Sequence, residues 1–188
     1  KVNAVLRDVE DNLWISIFGD GIFRYEGDAF IKYNKFKGRD LSFAVSGLML
    51  DHNDNLWIST FNKGVFRFDG ENVTQPEADF LKDKYVYFVT SNREKEVLLS
   101  IQNQGLWIYK NGKFSQMPFT KGGNVGAVVQ DELGNYYSGE ISSVAYLTKN
   151  KVERITGFKG WASCLFYYNK DSVILGTSSG AYLIRKHQ

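Results

Sequence analysis

The chain has few of the residues that carry most metal, redox and nucleophilic chemistry. Its 188 residues include one cysteine, Cys164, and two histidines, His52 and His187. A single cysteine excludes an internal disulfide and a cysteine-based zinc cluster. The two histidines lie far apart in sequence, so the pattern points to neither a histidine metal site nor a His-based catalytic triad. Neither sign of charge dominates: 23 Lys and Arg stand against 21 Asp and Glu, a net charge of +2. That balance leaves no electrostatic footprint for nucleic acid or an anionic membrane, so no nucleic-acid partner and no direct membrane contact are expected. No run approaches the roughly 18 consecutive apolar residues of a spanning helix, and Lys1-Val2-Asn3 opens no signal-peptide core. If the parent protein is exported, its targeting segment is expected outside these residues. Proline is scarce too, with only two in the chain.

What is abundant is aromatic. Eleven Tyr, fourteen Phe and four Trp accompany eighteen Gly, and 43% of the residues are hydrophobic. Enough apolar material is present for a sizeable core, and rings with glycine punctuation favour strands joined by glycine turns over helices. The composition reads as all-β.

An internal repeat organises the chain. Copies start at Val2, Val45, Val86, Val125 and Ala162. The first two agree at Asp8 and Asp51, Asp11 and Asp54, Asn12 and Asn55, Trp14 and Trp57, and Gly21 and Gly64. The third places Asn92, Leu98, Gly105 and Trp107 on Asp51, Trp57, Gly64 and Phe66. The fourth carries Asp131, Gly134-Asn135, Tyr137 at the tryptophan position and Tyr146 at the Phe66 position, with Val144 in place of the glycine. The fifth runs through Ile174 and Gly176 to Gly180-Ala181-Tyr182. In the first copy the apolar runs Val2 to Arg7, Leu13 to Phe18, Ile22 to Tyr25 and Ala29 to Tyr33 are each too short for a helix and are separated by Asp, Asn and Gly turns.

Four short antiparallel strands in about forty residues, repeated, is the signature of a β-propeller blade. The expected architecture is one partial propeller domain over residues 1–188. Its blades fall near 2–40, 45–84, 86–123, 125–160 and 162–188. Trp14, Trp57, Leu98, Tyr137 and Ile174 are expected to pack between blades. Asp8, Asp51, Asn92 and Asp131 sit where the first strand turns into the second, placed to close the turn by bonding backbone two residues on. Gly21, Gly64, Gly105 and Gly180 open the third strand, where positive φ or close backbone approach suits glycine. No spare strand closes the ring, so the remaining blades of a larger propeller are expected partners, and exposed blade faces invite self-association.

The core Asp-x-x-Asp-Asn-Leu-Trp-Ile-Ser, followed by glycine and an aromatic-Arg-aromatic strand, occurs at Asp8 to Tyr25 and again at Asp51 to Phe68. It resembles the two-component regulator propeller repeat. That resemblance implies the periplasmic sensor region of a Bacteroidetes-type hybrid histidine kinase, responding to oligosaccharides. The motif is structural and carries no binding residues onto this chain. Asp11 and Asp54 replace the family's usual glycine, so their turns are expected to differ.

Three places could carry chemistry. Asp51-His52-Asn53-Asp54-Asn55 looks like the start of a calcium loop, but an EF-hand wants Gly and Glu where Leu56 and Asn62 stand. Lyase- and lactonase-type propellers hold a metal on channel carboxylates, and Glu140 is the most suggestive carboxylate, yet one carboxylate is not a site. No catalytic residue, metal ligand or cofactor is therefore assigned. Recognition belongs on loops carried by a rigid scaffold. One propeller face collects the loops between second and third strands, contributing Asp20, Asn62, Lys63, Gln102, Asn103, Gln104 and Glu140. It also collects the links between blades, contributing Arg39, Asp40, Tyr85, Asn124 and Trp161. Amides, charges and aromatic platforms suit a small-molecule ligand such as an oligosaccharide. The expected function is a noncatalytic extracytoplasmic sensing module. The alternatives are a channel-site propeller enzyme and a protein-interaction or dimerisation platform.

Overall fold

The computed structural model describes residues 1–33, 35–36, 39–40 and 44–185. Strands β1 (Val2–Arg7), β2 (Leu13–Ile17), β3 (Gly21–Glu26) and β4 (Ala29–Tyr33) form a sheet in the order β1-β2-β3-β4. A short hairpin follows, β5 (Lys35–Phe36) with β6 (Arg39–Asp40). The second sheet holds β7 (Val45–Leu50), β8 (Leu56–Thr60), β9 (Val65–Phe68) and β10 (Val73–Thr74) in sequential order. The third holds β11 (Val86–Ser91), β12 (Val97–Ile101), β13 (Gly105–Lys110) and β14 (Lys113–Gln116). The fourth holds β15 (Ala127–Gln130), β16 (Tyr136–Gly139), β17 (Val144–Leu147) and β18 (Val152–Ile155). The fifth is three-stranded, with β19 (Ala162–Asn169), β20 (Ser172–Thr177) and β21 (Gly180–Arg185). Two 3-10 turns, Asp79–Leu81 and Pro118–Thr120, are the only helical elements among the described residues. None is long and apolar enough to cross a membrane. The expected all-β blade pattern is present.

The chain divides into two compact units. The first comprises Lys1–Ile101 with Ile108–Ser115, and the second comprises Gln102–Trp107 with Gln116–Gln188. Within the first, β1 lies beside β7 and β7 beside β11; within the second, β15 lies beside β19. The first strands of successive sheets are thus neighbours inside each unit. In the first unit Trp14 and Ile22 pack against Val45, Leu56, Ile58 and Phe66 of the next sheet. In the second, Tyr137 and Val144 pack against Ala162, Val173 and Leu175, with Phe158 from the link. Each buried Val, Leu, Ile or Phe among these contributes about 1.5–3 kcal/mol. All five residues of β8 are buried, as are those of β12, because both faces of these second strands are covered.

The first strands share an irregularity. A bulge sits at the start of β1, β7, β11 and β19, and β15 pairs without one. A bulge re-aims one side chain out of the alternation. Two of the bulged residues use that freedom to tie neighbouring sheets: Asn3 Nδ2 donates to the Val45 carbonyl at 2.8 Å and Ser46 Oγ to the Val86 carbonyl at 2.5 Å.

The first-to-second-strand turn is a hydrogen-bond cluster. Asp51 Oδ1 accepts from the backbone N–H groups of Asn53 and Asn55 at 2.9 and 3.0 Å. Its Oδ2 accepts from Trp57 Nε1 at 2.8 Å, and Asn55 Nδ2 reaches both oxygens. Asp8 repeats the arrangement with Glu10, Asn12 and Trp14. Burial alone would raise these carboxyls, but bonds from the indole, the Asn side chain and the backbone outweigh it, so Asp8 and Asp51 are held below the usual carboxylate range. In the third sheet Leu98 replaces the indole and Asn92 replaces the acid: Asn92 Oδ1 accepts from Glu96 N–H, and its amide donates to Glu96 Oε2, both at 2.8 Å. In the fourth, Tyr137 offers no indole N–H, and the donor comes from the neighbouring strand, Tyr146 Oη to Asp131 Oδ2 at 2.8 Å.

Four expectations need correcting. Asp11 and Asp54 do not alter their turns: they take the left-handed conformation (φ 68° and 60°) that Gly134 takes at the equivalent place (φ 82°). A short polar side chain tolerates it. Tyr146 is not the counterpart of Phe66. It lies opposite Tyr137 as Arg67 lies opposite Trp57. Val144 does not stand in for the repeat glycine, since it pairs with Gly139 as Val65 pairs with Ser59. The loop before it is one residue shorter, and its left-handed residue is Ser142, whose N–H donates to the Gly160 carbonyl as Gly64 N–H does to the Lys84 carbonyl. At Gly64 itself a side chain is barred twice, because φ is +67° and a Cβ would meet the Leu81 carbonyl oxygen at 2.2 Å. Finally, Ile174 is not buried between sheets. It is 37% exposed, on a face with Phe166 and Leu183, which are exposed as well, whereas Trp57 at the matching position is 1% exposed.

Candidate functional site

The loops between second and third strands project from the ends of β2, β8, β12 and β16, opposite the Asp-Trp turns. A repeated backbone bond fastens them to the residue preceding the first strand of their own sheet: Phe18 N–H to Lys1 O at 2.8 Å, Phe61 N–H to Ala44 O at 3.0 Å, and Ser178 N–H to Trp161 O at 3.2 Å. Loop and link are thereby held as one surface within each unit.

In the first unit this surface carries a row of rings. Phe18 lies 5.6 Å from Phe61, Phe61 lies 4.7 Å from Tyr85, and Tyr85 lies 4.8 Å from Tyr87. Three sheets supply the row, and the bulge at the start of β11 supplies Tyr87. Burial, with a smaller contribution from Tyr87, raises the Tyr85 phenol above its ordinary pKa, so it stays a neutral donor near neutral pH. Asn62 and Lys63 are exposed beside the row. The loop is kept rigid by Thr60, whose Oγ1 accepts from Lys63 N–H at 2.9 Å and donates to the Gly64 carbonyl at 2.9 Å. Asp20 is engaged in an ion pair with Lys32. Arg39 and Asp40 fall in β6, and their side chains lie outside the described part of the structure, as does all of His187.

In the second unit the polar candidates are largely satisfied by one another. Asn103, left-handed at φ 58°, donates its backbone N–H to Asn124 Oδ1 at 2.7 Å and accepts Asn124 Nδ2 at 3.0 Å. Gln104 accepts Gln116 Nε2 on its carbonyl at 2.6 Å, and Gln102 is exposed. Glu140 accepts Ser143 Oγ at 2.9 Å and pairs with Arg154 Nε at 3.4 Å. Trp161 lies over the backbone of Gly126, where a Cβ would come within 2.6 Å of the ring. Among the described residues no group of three His, Cys, Asp or Glu side chains is placed to hold a metal ion.

Sequence reasoning singled out Tyr85 and missed Phe18, Phe61 and Tyr87. Phe18 and Phe61 occupy the same repeat position, four residues after Trp14 and Trp57, and that coincidence was the available signal.

Comparison with solved structures places the fold. The chain superposes over 100% of its length on the extracellular domain of one hybrid two-component system from B. thetaiotaomicron (TM-score 0.78, 13% identity). It superposes over 98% on that of a second (TM-score 0.76, 18% identity). The fold is that of β-propeller blades. This chain spans about a quarter of each of those domains, 27% in both cases. Virginiamycin B lyase from Staphylococcus aureus is similar as well, with TM-score 0.72 and 14% identity over 100% of this chain and 71% of the lyase. No protein-family model matches the chain, and no curated protein matches it in sequence.

Proposed function

We propose that these blades belong to one larger propeller domain that serves a periplasmic two-component sensor as a noncatalytic ligand-binding module, with an oligosaccharide as the ligand. The row Phe18, Phe61, Tyr85 and Tyr87 carries this reading. Sugar rings present apolar C–H faces that stack on aromatic rings, while Asn62, Lys63 and the Tyr85 hydroxyl are placed to bond the hydroxyls at the edge. The likeness to extracellular domains of sensor proteins supports the sensing role, and the engagement of Glu140 by Arg154 and Ser143 argues against a free catalytic carboxylate. Neighbouring blades of a longer chain, or another copy, cover Phe166, Ile174 and Leu183.

The likeness to a lyase keeps a second reading in view, a propeller enzyme. Calorimetry of the full-length parent against an oligosaccharide panel, with chromatography of the same mixtures, separates the two. Saturable binding with the sugar recovered intact, weakened about tenfold or more by Phe61→Ala and Tyr85→Ala, is the expected result, corresponding to at least ~1.4 kcal/mol. Turnover of the sugar supports the enzyme, and silence across the panel turns the reading toward a protein partner.

A further inference from the structure

At the opposite strand ends, the Asp-Trp turns open onto grooves within the first unit. One, of about 360 Å³, includes Asp8, Trp14 and Arg24; the other, of about 390 Å³, includes Asp51, Trp57 and Arg67. The two arginines occupy one repeat position, each opposite its tryptophan on the third strand. Their surroundings differ. Arg24 is paired with Glu26, two residues on, and its guanidinium lies 5.4 Å from the Trp14 ring and 5.5 Å from the Tyr33 ring. Arg67 has Asp69 at the matching place, one methylene shorter, and that carboxylate is turned to its own loop, accepting from Asn72 and Glu71 N–H at 2.6 and 3.0 Å. The Arg67 side chain keeps one hydrogen bond, Nη2 to Asn55 Oδ1 at 3.2 Å. Its Nε is buried without a partner, and no carboxylate among the described residues pairs with it.

The rest of the groove does not supply the missing anion. Asp51 is committed to its turn and to Trp57, Glu96 is paired with Lys110 at 2.5 Å, and Glu94, which also lines the groove, acts on Lys110 and forms no ion pair with Arg67. A partly buried guanidinium that lines a groove large enough for a small ligand and lacks a carboxylate partner suits a carboxylate, the natural counter-ion of its planar donor fork. Tyr109, half-buried and 5.1 Å from Trp57, forms an apolar wall beside it.

We propose that the groove between the second and third sheets binds a small carboxylate, whose acid group gives Arg67 the counter-charge that Glu26 gives Arg24. The site is separate from the aromatic row and stands or falls without it.

The test is an NMR titration of the intact chain with glucuronate, succinate and uncharged glucose, each to about 50 mM, far above a Kd of ~1 mM. Either acid is expected to give saturable shifts centred on the Arg67 Nε–H and on Asn55 and Tyr109, while glucose leaves them in place. Shifts from glucuronate alone mean that the ring is read by the Tyr109 wall; shifts from both acids mean that the carboxylate suffices. Arg67→Met should weaken binding more than tenfold. Asp69→Glu, which lengthens the internal acid to match Glu26, should do the same with the cation retained. Glu26→Gln should release Arg24 and add a second set of shifts there. No shifts at Arg67 with either acid, or shifts that survive Arg67→Met in a folded variant, overturn the proposal. Shifts confined to Phe61 and Tyr85 would do so too, while leaving the loop-end reading intact.

Discussion

Replacing Asp51 by alanine tests the account of the repeat most directly. The substitution removes the acceptor of a Trp57 indole that is 1% exposed and of an Asn55 amide that is 5% exposed. A buried donor left unpaired costs about 1–3 kcal/mol, and bonds to a charged acceptor are worth more than neutral ones, so the two together predict a loss of about 3–5 kcal/mol. The backbone donors of the turn recover water more readily and add little. For a chain of this size, each kcal/mol moves Tm by roughly 2–4 °C, so the expected drop is about 6–20 °C. The assay is urea denaturation followed by tryptophan fluorescence and circular dichroism, run for Asp51→Ala, Trp57→Phe and the double variant. Trp57→Phe removes the orphaned donor, so the double variant should recover about 1–2 kcal/mol relative to additivity. Acid supplies an independent handle. The folded carboxyl is held below its unfolded value near 4, so its stabilisation is present above that value and lost as pH falls through the lower folded pKa. Asp51→Ala should therefore flatten the acid side of the stability profile. A loss under about 1 kcal/mol, or strict additivity with Trp57→Phe, refutes the reasoning.

Three further outcomes follow from the same geometry. Tyr146→Phe removes the hydroxyl that bonds Asp131 and should cost about 1–3 kcal/mol by urea denaturation, whereas Tyr182→Phe should cost far less. Lys95 occupies the left-handed turn position at φ 62°, so Lys95→Gly should stabilise the chain by about 0.5 kcal/mol, and a loss of that size would show the side chain to be needed. The exposed face of the last sheet should drive association of this chain, and Phe166→Ser with Ile174→Thr should shift sedimentation toward monomer; an unchanged distribution assigns association elsewhere.

The strands of the first sheet were legible because their apolar runs end at Asp, Asn and Gly, and they match the observed ranges to within a residue or so. The Asp turns were legible because the Asx bond is local. What failed was non-local. In the fourth copy the loop between second and third strands is one residue shorter, and alignment by residue type put Tyr146 and Val144 one place out; only strand pairing reveals the slip. Ile174 reads as a core residue by position, but burial depends on a neighbouring sheet that a periodic pattern cannot guarantee. The aromatic row and the Arg67 groove escaped because each joins residues from different copies. The useful signals were differences between copies, Phe18 with Phe61 where later copies have Gln102 and Ile141, and Asp69 where the first copy has Glu26.

The turn acid illustrates how a repeat can outlive its own spelling. Its donor is an indole from the second strand in two copies and a phenol from the third strand in another, and where the indole gives way to Leu98 the acid gives way to an amide. What the copies have in common is a filled hydrogen-bond valence rather than a particular letter, and the turn persists across them. Shape can therefore agree where letters do not, and the chain superposes over 98–100% of its length on domains with which it shares 13–18% of its residues.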